Sequence, residues 1–133
     1  QQIFDGKKIV LFAVPGAFTP TCSAKHVPGF LEHATEIKNK GVDQIVCLSV
    51  NDPFVMDAWG KDRGTGESIL MLGDGNGDFT RAIDLGLDGS GVGLGARSQR
   101  YAMIVENGTV TALEIEDGPG LTVSSAENIL SKL

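Results

Sequence analysis

The stretch Ile9-Val10-Leu11-Phe12-Ala13-Val14-Pro15-Gly16-Ala17-Phe18-Thr19-Pro20-Thr21-Cys22 decides the fold. Its first half is short, continuous and rich in Ile, Val, Leu and Phe, so a buried strand is predicted over Lys8–Val14. Pro15-Gly16 stops that strand, and a helical pattern opens at Cys22. A cysteine at a helix start meets unpaired backbone N–H groups and the positive end of the helix dipole, and both favour a thiolate. Of the two cysteines in the chain, Cys22 is therefore the one placed to react.

Working outward, Val27, Phe30, Leu31, Ala34 and Ile37 keep a 3.6-residue period, while Pro28-Gly29 interrupts it. This predicts a short helix over Cys22–His26, a kink or restart at Pro28 and a longer helix to about Asn39, stopped by Lys40-Gly41. Gln44–Val50 reads as a second buried strand. Asn51-Asp52-Pro53 then caps a helix running to about Asp62. Ser68–Leu72 is a third strand, Asp78–Leu85 a short helix, and the glycine-rich stretch 86–96 a flexible loop. Arg100–Glu106 and Thr109–Ile115 flank Asn107-Gly108, a strong hairpin signal. Ser124-Ser125-Ala126-Glu127 has the form of a capping box opening a last helix.

The order β-α-β-α-β-α-β-β-α gives an α/β domain. Its early βαβ units predict parallel strands joined by helical crossovers, and its late hairpin adds antiparallel ones. The expected architecture is a thioredoxin-like fold: a mixed central sheet, helices on both faces, and a C-terminal β-hairpin plus helix. At 133 residues, 41% of them apolar, the chain 1–133 is a single domain with a proper core. A net charge of −6 argues against a nucleic-acid partner. No run approaches a membrane span and no signal peptide opens the chain. Two cysteines make no disulfide framework, so a reducing, cytoplasmic setting is expected. An organelle is the alternative, because the chain begins Gln1-Gln2 without a methionine.

Several motifs fail on context. Gly91-Val92-Gly93-Leu94-Gly95-Ala96 has the loose dinucleotide spacing, but it follows a helix and precedes a strand, the reverse of what the pyrophosphate requires. Asp74-Gly75-Asn76-Gly77-Asp78 mimics a calcium loop, yet Phe79 stands where glycine is needed. No cofactor and no metal are expected. Cys22-Ser23-Ala24-Lys25 lacks the second thiol of a dithiol oxidoreductase. His26, four residues after Cys22, could serve as the base of a Cys-His hydrolase; its plainer reading is a structural residue at the kink. Cys47 lies inside Ile45-Val46-Cys47-Leu48 and reads as a buried apolar thiol. Its sharper reading, a resolving partner for Cys22, needs Cα atoms within about 7 Å.

The pattern Pro15-x-x-x-Thr19-x-x-Cys22 resembles the active-site motif of peroxiredoxins. The string Val14–Ser23 continued by His26-Val27-Pro28-Gly29-Phe30 is similar to the type II (atypical, peroxiredoxin-5-like) branch. So are Ser49-Val50-Asn51-Asp52, Trp59-Gly60, Ser98-Gln99-Arg100-Tyr101 and Gly120-Leu121-Thr122. The resemblance covers nearly the whole chain. It implies that Cys22 is the peroxidatic nucleophile, that Thr19 and Arg100 complete the site and bind substrate with Pro15, which shields the pocket, and that the protein forms a homodimer through an edge near the active site. Phe18, Trp59, Val92 and Leu94 are candidates for the pocket mouth or that contact, with ordinary core the plainer reading for Phe18 and Trp59. In one subset of the branch a resolving cysteine follows Gly-Leu-Thr, where this chain has Val123. An N-terminal β segment common in the family is also expected to be missing.

The implied function is a thiol-dependent peroxidase for hydrogen peroxide and small organic hydroperoxides. Cys22 becomes a sulfenic acid and is reduced by an external thiol, glutathione with glutaredoxin or thioredoxin. A non-enzymatic redox sensor or binding module is the alternative. A free thiol of pKa about 8.5 is only ~3% thiolate at pH 7, and one at about 6 is ~90%. The lower basicity gives back about tenfold of that ~30-fold gain. The remaining advantage is a few-fold, so a peroxidase must stabilise charge on the departing oxygen as well. Arg100, a permanently charged fork, suits that task. Arg97 reads as a loop charge.

Overall fold

The computed structural model describes residues 3–118 and 120–133. Strand β1 (Lys8–Val14) is central, flanked by parallel β2 (Gln44–Ser49) and antiparallel β6 (Tyr101–Glu106). With β3 (Leu70–Gly73) and β7 (Thr109–Ile115) at the edges, the sheet order is β3-β2-β1-β6-β7. Both faces of β1 are covered, which is why its sequence is apolar without alternation. Val10, Phe12 and Val14 join one cluster with Cys22, Val27, Phe30 and Trp59; Ile9, Leu11 and Ala13 join another with Val46, Tyr101 and Met103.

The first cluster is roofed by α1 (Val27–Glu32), α2 (Ala34–Asn39), α3 (Pro53–Arg63) and α5 (Ala126–Lys132). The second receives Phe79 of α4 (Asp78–Ala82) and neighbouring Ile83. The mixed sheet with helices on both faces and a C-terminal hairpin plus helix is as expected. Asn107 and Gly108 take positive φ of 48° and 81°, the turn geometry that Asn-Gly favours.

The details depart from expectation in four places. Helical geometry starts at Pro20, two residues before Cys22, and α1 begins at Val27 with Pro28 in its first turn, close to the expected restart. Residues Cys22–His26 form a π-helical turn in which the Val27 N–H reaches back to the Cys22 carbonyl. That wider turn relieves the clash a proline ring makes with the carbonyl four residues before it. A second break, which the sequence did not suggest, falls at His33, with φ −99° and ψ 9°.

The stretch 86–96 is no loose loop. It forms an antiparallel ribbon, β4 (Gly86–Asp88) with β5 (Ala96–Ser98), closed by a 3₁₀ turn at Ser90–Val92. Gly89 N–H donates to the Gly95 carbonyl at 2.7 Å, and three-residue strands carry no readable period. The last helix is capped by Ser125, whose hydroxyl accepts from Asn128 N–H; Ser124 is engaged elsewhere. Smaller shifts move the third strand to Leu70–Gly73, end α3 at Arg63 and end α4 at Ala82.

Candidate active site

The turn between β1 and the first helix is held by the end of β2. Asn51 Oδ1 accepts from Ala17 N–H at 3.0 Å and from the Ser49 hydroxyl at 2.6 Å. Phe18 sits at φ +64°, a left-handed conformation unusual for a bulky residue and a local store of strain. Gly16 lets Thr19 fold back over the turn: a Cβ there would lie 3.0 Å from Thr19 Cγ2. Thr19 Oγ1 donates to the Gly16 carbonyl at 2.6 Å, so its lone pairs are free to accept from a ligand. Arg97 braces the same region, donating to the carbonyls of Leu94 at 2.8 Å and Val50 at 3.2 Å.

Cys22 lies in the first turn of the helix with its side chain fully buried. Arg100, just before β6 and 6% exposed, reaches it across the sheet, and Nη2 donates to Cys22 Sγ at 3.0 Å. The second arm of the fork, Nη1, donates to His26 Nδ1 at 2.8 Å. His26 Nε2 then donates to the Ser124 carbonyl at 2.9 Å, which fixes the neutral tautomer. The imidazole is boxed by aromatic rings, its centroid 4.8 Å from Phe12 and 5.6 Å from Phe30. Burial first, and the Arg100 charge second, hold the His26 pKa down to about 3.

This overturns the hydrolase reading of His26. Its acceptor nitrogen is occupied by Arg100 and its other nitrogen by a backbone carbonyl, so it has no free site for the thiol proton.

Arg100, Thr19 and Pro15 line one pocket of about 490 Å³, with Pro20, Leu87 and Leu94 adding apolar surface. Pro15, Thr19 and Arg100 of the sequence-predicted set thus share this pocket, and Cys22, fully buried, meets it through its contact with Arg100. Of the suggested mouth residues, Leu94 lines the pocket, Phe18 is 52% and Val92 78% exposed, and Trp59 is core. Trp59 Nε1 donates to Ser23 Oγ at 2.9 Å and pins the cysteine turn to α3. Cys47 packs in the same apolar cluster as Cys22, on a strand paired on both sides. Burial pushes the Cys47 thiol pKa well up, with the Cys22 charge a second cause. Both thiols are free.

Sequence reasoning missed Glu116 and Ser124. The Glu116 carboxylate accepts from the N–H and hydroxyl of both Thr122 and Ser124, at 2.7–2.8 Å. Burial raises its pKa, but those four bonds outweigh it and hold the pKa to about 2. A lone Glu after a strand gave no signal; the Gly120-Leu121-Thr122 string marked the turn without marking its partner.

The sequence matches the Redoxin family over residues 1–130. It is 55% identical over 130 residues to peroxiredoxin-2E, chloroplastic, of Arabidopsis thaliana, covering 96% of this chain and 56% of that protein. It is 54% identical over 128 residues to peroxiredoxin-2B of the same plant, covering 96% of this chain and 79% of the relative. The fold superposes on reduced Prx3 of Vibrio vulnificus in complex with hydrogen peroxide with a TM-score of 0.95, at 55% identity, over 99% of this chain and 85% of that one.

Proposed function

The chain belongs to the redoxin family, among the type II peroxiredoxins, and on that premise we propose that Cys22, Arg100, Thr19 and Pro15 carry out its thiol-dependent reduction of peroxides. The Cys22 thiolate attacks one peroxide oxygen. An S–O bond forms, the O–O bond breaks, and the second oxygen leaves with the electron pair and takes a proton, as water or an alcohol. The observation that carries this reading is the 3.0 Å contact between Arg100 Nη2 and Cys22 Sγ beside the pocket that Arg100 and Thr19 share. Arg100 holds the thiolate in the ground state and the charge on the departing oxygen in the transition state. Thr19, its own hydrogen spent on the Gly16 carbonyl, accepts the peroxide O–H and aligns the attack. Pro15 closes the wall against water.

The resulting sulfenic acid is reduced by an outside thiol: the first equivalent displaces water and forms a mixed disulfide, the second releases Cys22. Val123 in place of a cysteine, and the confinement of Cys47 to a doubly paired strand, support an external reductant. That reductant is glutathione with glutaredoxin, or thioredoxin, in a reducing compartment such as the cytoplasm. The exposed Phe18, in the turn that leads to Cys22, supports a homodimer through this edge.

A coupled assay with hydrogen peroxide or a small alkyl hydroperoxide, run with each reducing system, tests the reading. Turnover with at least one system, abolished in Cys22→Ser, is expected. Peroxide consumption no faster than by the reductant alone overturns it.

A further inference from the structure

We infer that Glu116 is a positioning residue for the peroxide reaction, acting through Ser124 and His26 on the guanidinium of Arg100. The inference rests on the peroxidase reading of Cys22 and Arg100 given above. The observation is a closed circuit of hydrogen bonds. From Cys22 Sγ it runs to Arg100 Nη2 at 3.0 Å, from Arg100 Nη1 to His26 Nδ1 at 2.8 Å, and from His26 Nε2 to the Ser124 carbonyl at 2.9 Å. Ser124 N–H and Oγ donate to Glu116 at 2.8 and 2.7 Å. The circuit closes where Glu116 N–H donates to the Arg100 carbonyl at 3.0 Å. Four side chains far apart in sequence thus fix one another, and Ser124 and His26 are almost fully buried.

Each link needs the next. A guanidinium has five donors and no acceptor, so Arg100 Nη1 requires a lone pair, and His26 offers one only while Nε2 keeps the hydrogen. Nε2 keeps it because the Ser124 carbonyl faces it. That carbonyl is held there because the Glu116 carboxylate fastens Thr122 and Ser124 with four hydrogen bonds. The groups facing His26 are the rings of Phe12 and Phe30, the Arg100 cation and the Ser124 carbonyl, with Glu116 one residue further along the circuit.

Loss of the circuit leaves Arg100 charged and near Cys22 but without a fixed direction. A misplacement of about 1 Å at a catalytic group costs as much as 100-fold. Such a loss differs from thiol exposure or unfolding, because it acts most on an attack in which Arg100 also meets charge on a departing oxygen. Iodoacetamide alkylation of Cys22 has no peroxide oxygen to stabilise.

The experiment compares stopped-flow oxidation of the reduced protein by hydrogen peroxide with iodoacetamide alkylation, for the parent, Glu116→Ala, His26→Gln and His26→Asn. Gln places a nitrogen at the Nε2 position and keeps the bond to Ser124, whereas Asn places an oxygen at the Nδ1 position and keeps the bond to Arg100. In Glu116→Ala and His26→Gln the peroxide rate constant is expected to fall about tenfold or more, with alkylation changed less than about threefold. His26→Asn is expected to react with peroxide about tenfold faster than His26→Gln. Peroxide rates near the parent value in Glu116→Ala overturn the inference, as do peroxide and alkylation rates that fall together. If Glu116→Ala does not fold, Glu116→Gln, which leaves one acceptor oxygen for four donors, takes its place, and a peroxide rate near the parent value in it overturns the inference. A parent that reacts with peroxide no faster than a free thiol contradicts the peroxidase reading itself.

Discussion

Arg100 Nη2 donates to Cys22 Sγ at 3.0 Å while Nη1 of the same fork donates to His26 at 2.8 Å, so one rigid cation is aimed at the sulfur and anchored behind it. Lysine has one ammonium and cannot span both partners. Arg100→Lys is therefore expected to lower the peroxide rate constant at least about tenfold, near 1.4 kcal/mol in the barrier, with the fold retained. Stopped-flow oxidation alongside far-UV circular dichroism checks this. A near-normal rate contradicts the role assigned to Arg100.

Thr19 combines a committed hydrogen with free lone pairs. Removing that oxygen in Thr19→Val is expected to cost about 100-fold in peroxide rate, and Thr19→Ser, which keeps it, much less. A loss in Thr19→Ser with none in Thr19→Val assigns the effect to packing of the methyl group against Gly16.

The chain is expected to lose stability as pH falls below about 6.5. His26 has its folded pKa depressed to about 3, against an ordinary value of 6.5. Between those values the unfolded chain binds the extra proton, so stability rises with pH there and declines on acidification. The expected slope is about 1.4 kcal/mol per pH unit across the middle of that window. Glu116, held to about 2 against 4.5, adds a loss of the same sign below about pH 4.5. Urea titrations from pH 7 to 4 on the parent and on His26→Asn separate the two: between pH 6.5 and 4.5 the variant's curve is expected to be flat. A parent curve without slope in that range contradicts a neutral buried His26.

Cys47 is apolar core in this account. Cys47→Ala is expected to leave peroxide kinetics and reductant-driven turnover within about twofold while costing roughly 1–2 kcal/mol of stability from the small cavity it leaves. Turnover that stalls in the variant while the first oxidation proceeds identifies Cys47 as the resolving thiol.

Ser23 holds the indole of fully buried Trp59. Ser23→Ala leaves that N–H without a partner and is expected to cost about 1–3 kcal/mol, read as a lower Tm and faster proteolysis of the cysteine turn.

The sheet and the candidate cysteine turn were legible because their signals are strong and local. An apolar run of two-sided burial marks β1, Asn107-Gly108 marks the hairpin, and Pro15, Thr19 and Cys22 stand within one turn of the chain. Arg100 is far from them in sequence, and only resemblance joined it to the site. The ribbon β4–β5 escaped because three-residue strands have no period and glycines at positive φ look like freedom when they make a fixed turn. The break at His33 escaped because no proline or glycine stands there to mark it. The first Ser of the capping box was already bound to Glu116, a tertiary contact that no local pattern carries.

The most direct measurement adds one equivalent of hydrogen peroxide to the reduced protein and reads intact and peptide mass, with and without a sulfenic-acid trap. The account predicts a trapped adduct on Cys22 within seconds and no disulfide between Cys22 and Cys47. Loss of two mass units mapped to those two cysteines contradicts the role given to Cys47, and an unmodified Cys22 contradicts the account at its centre.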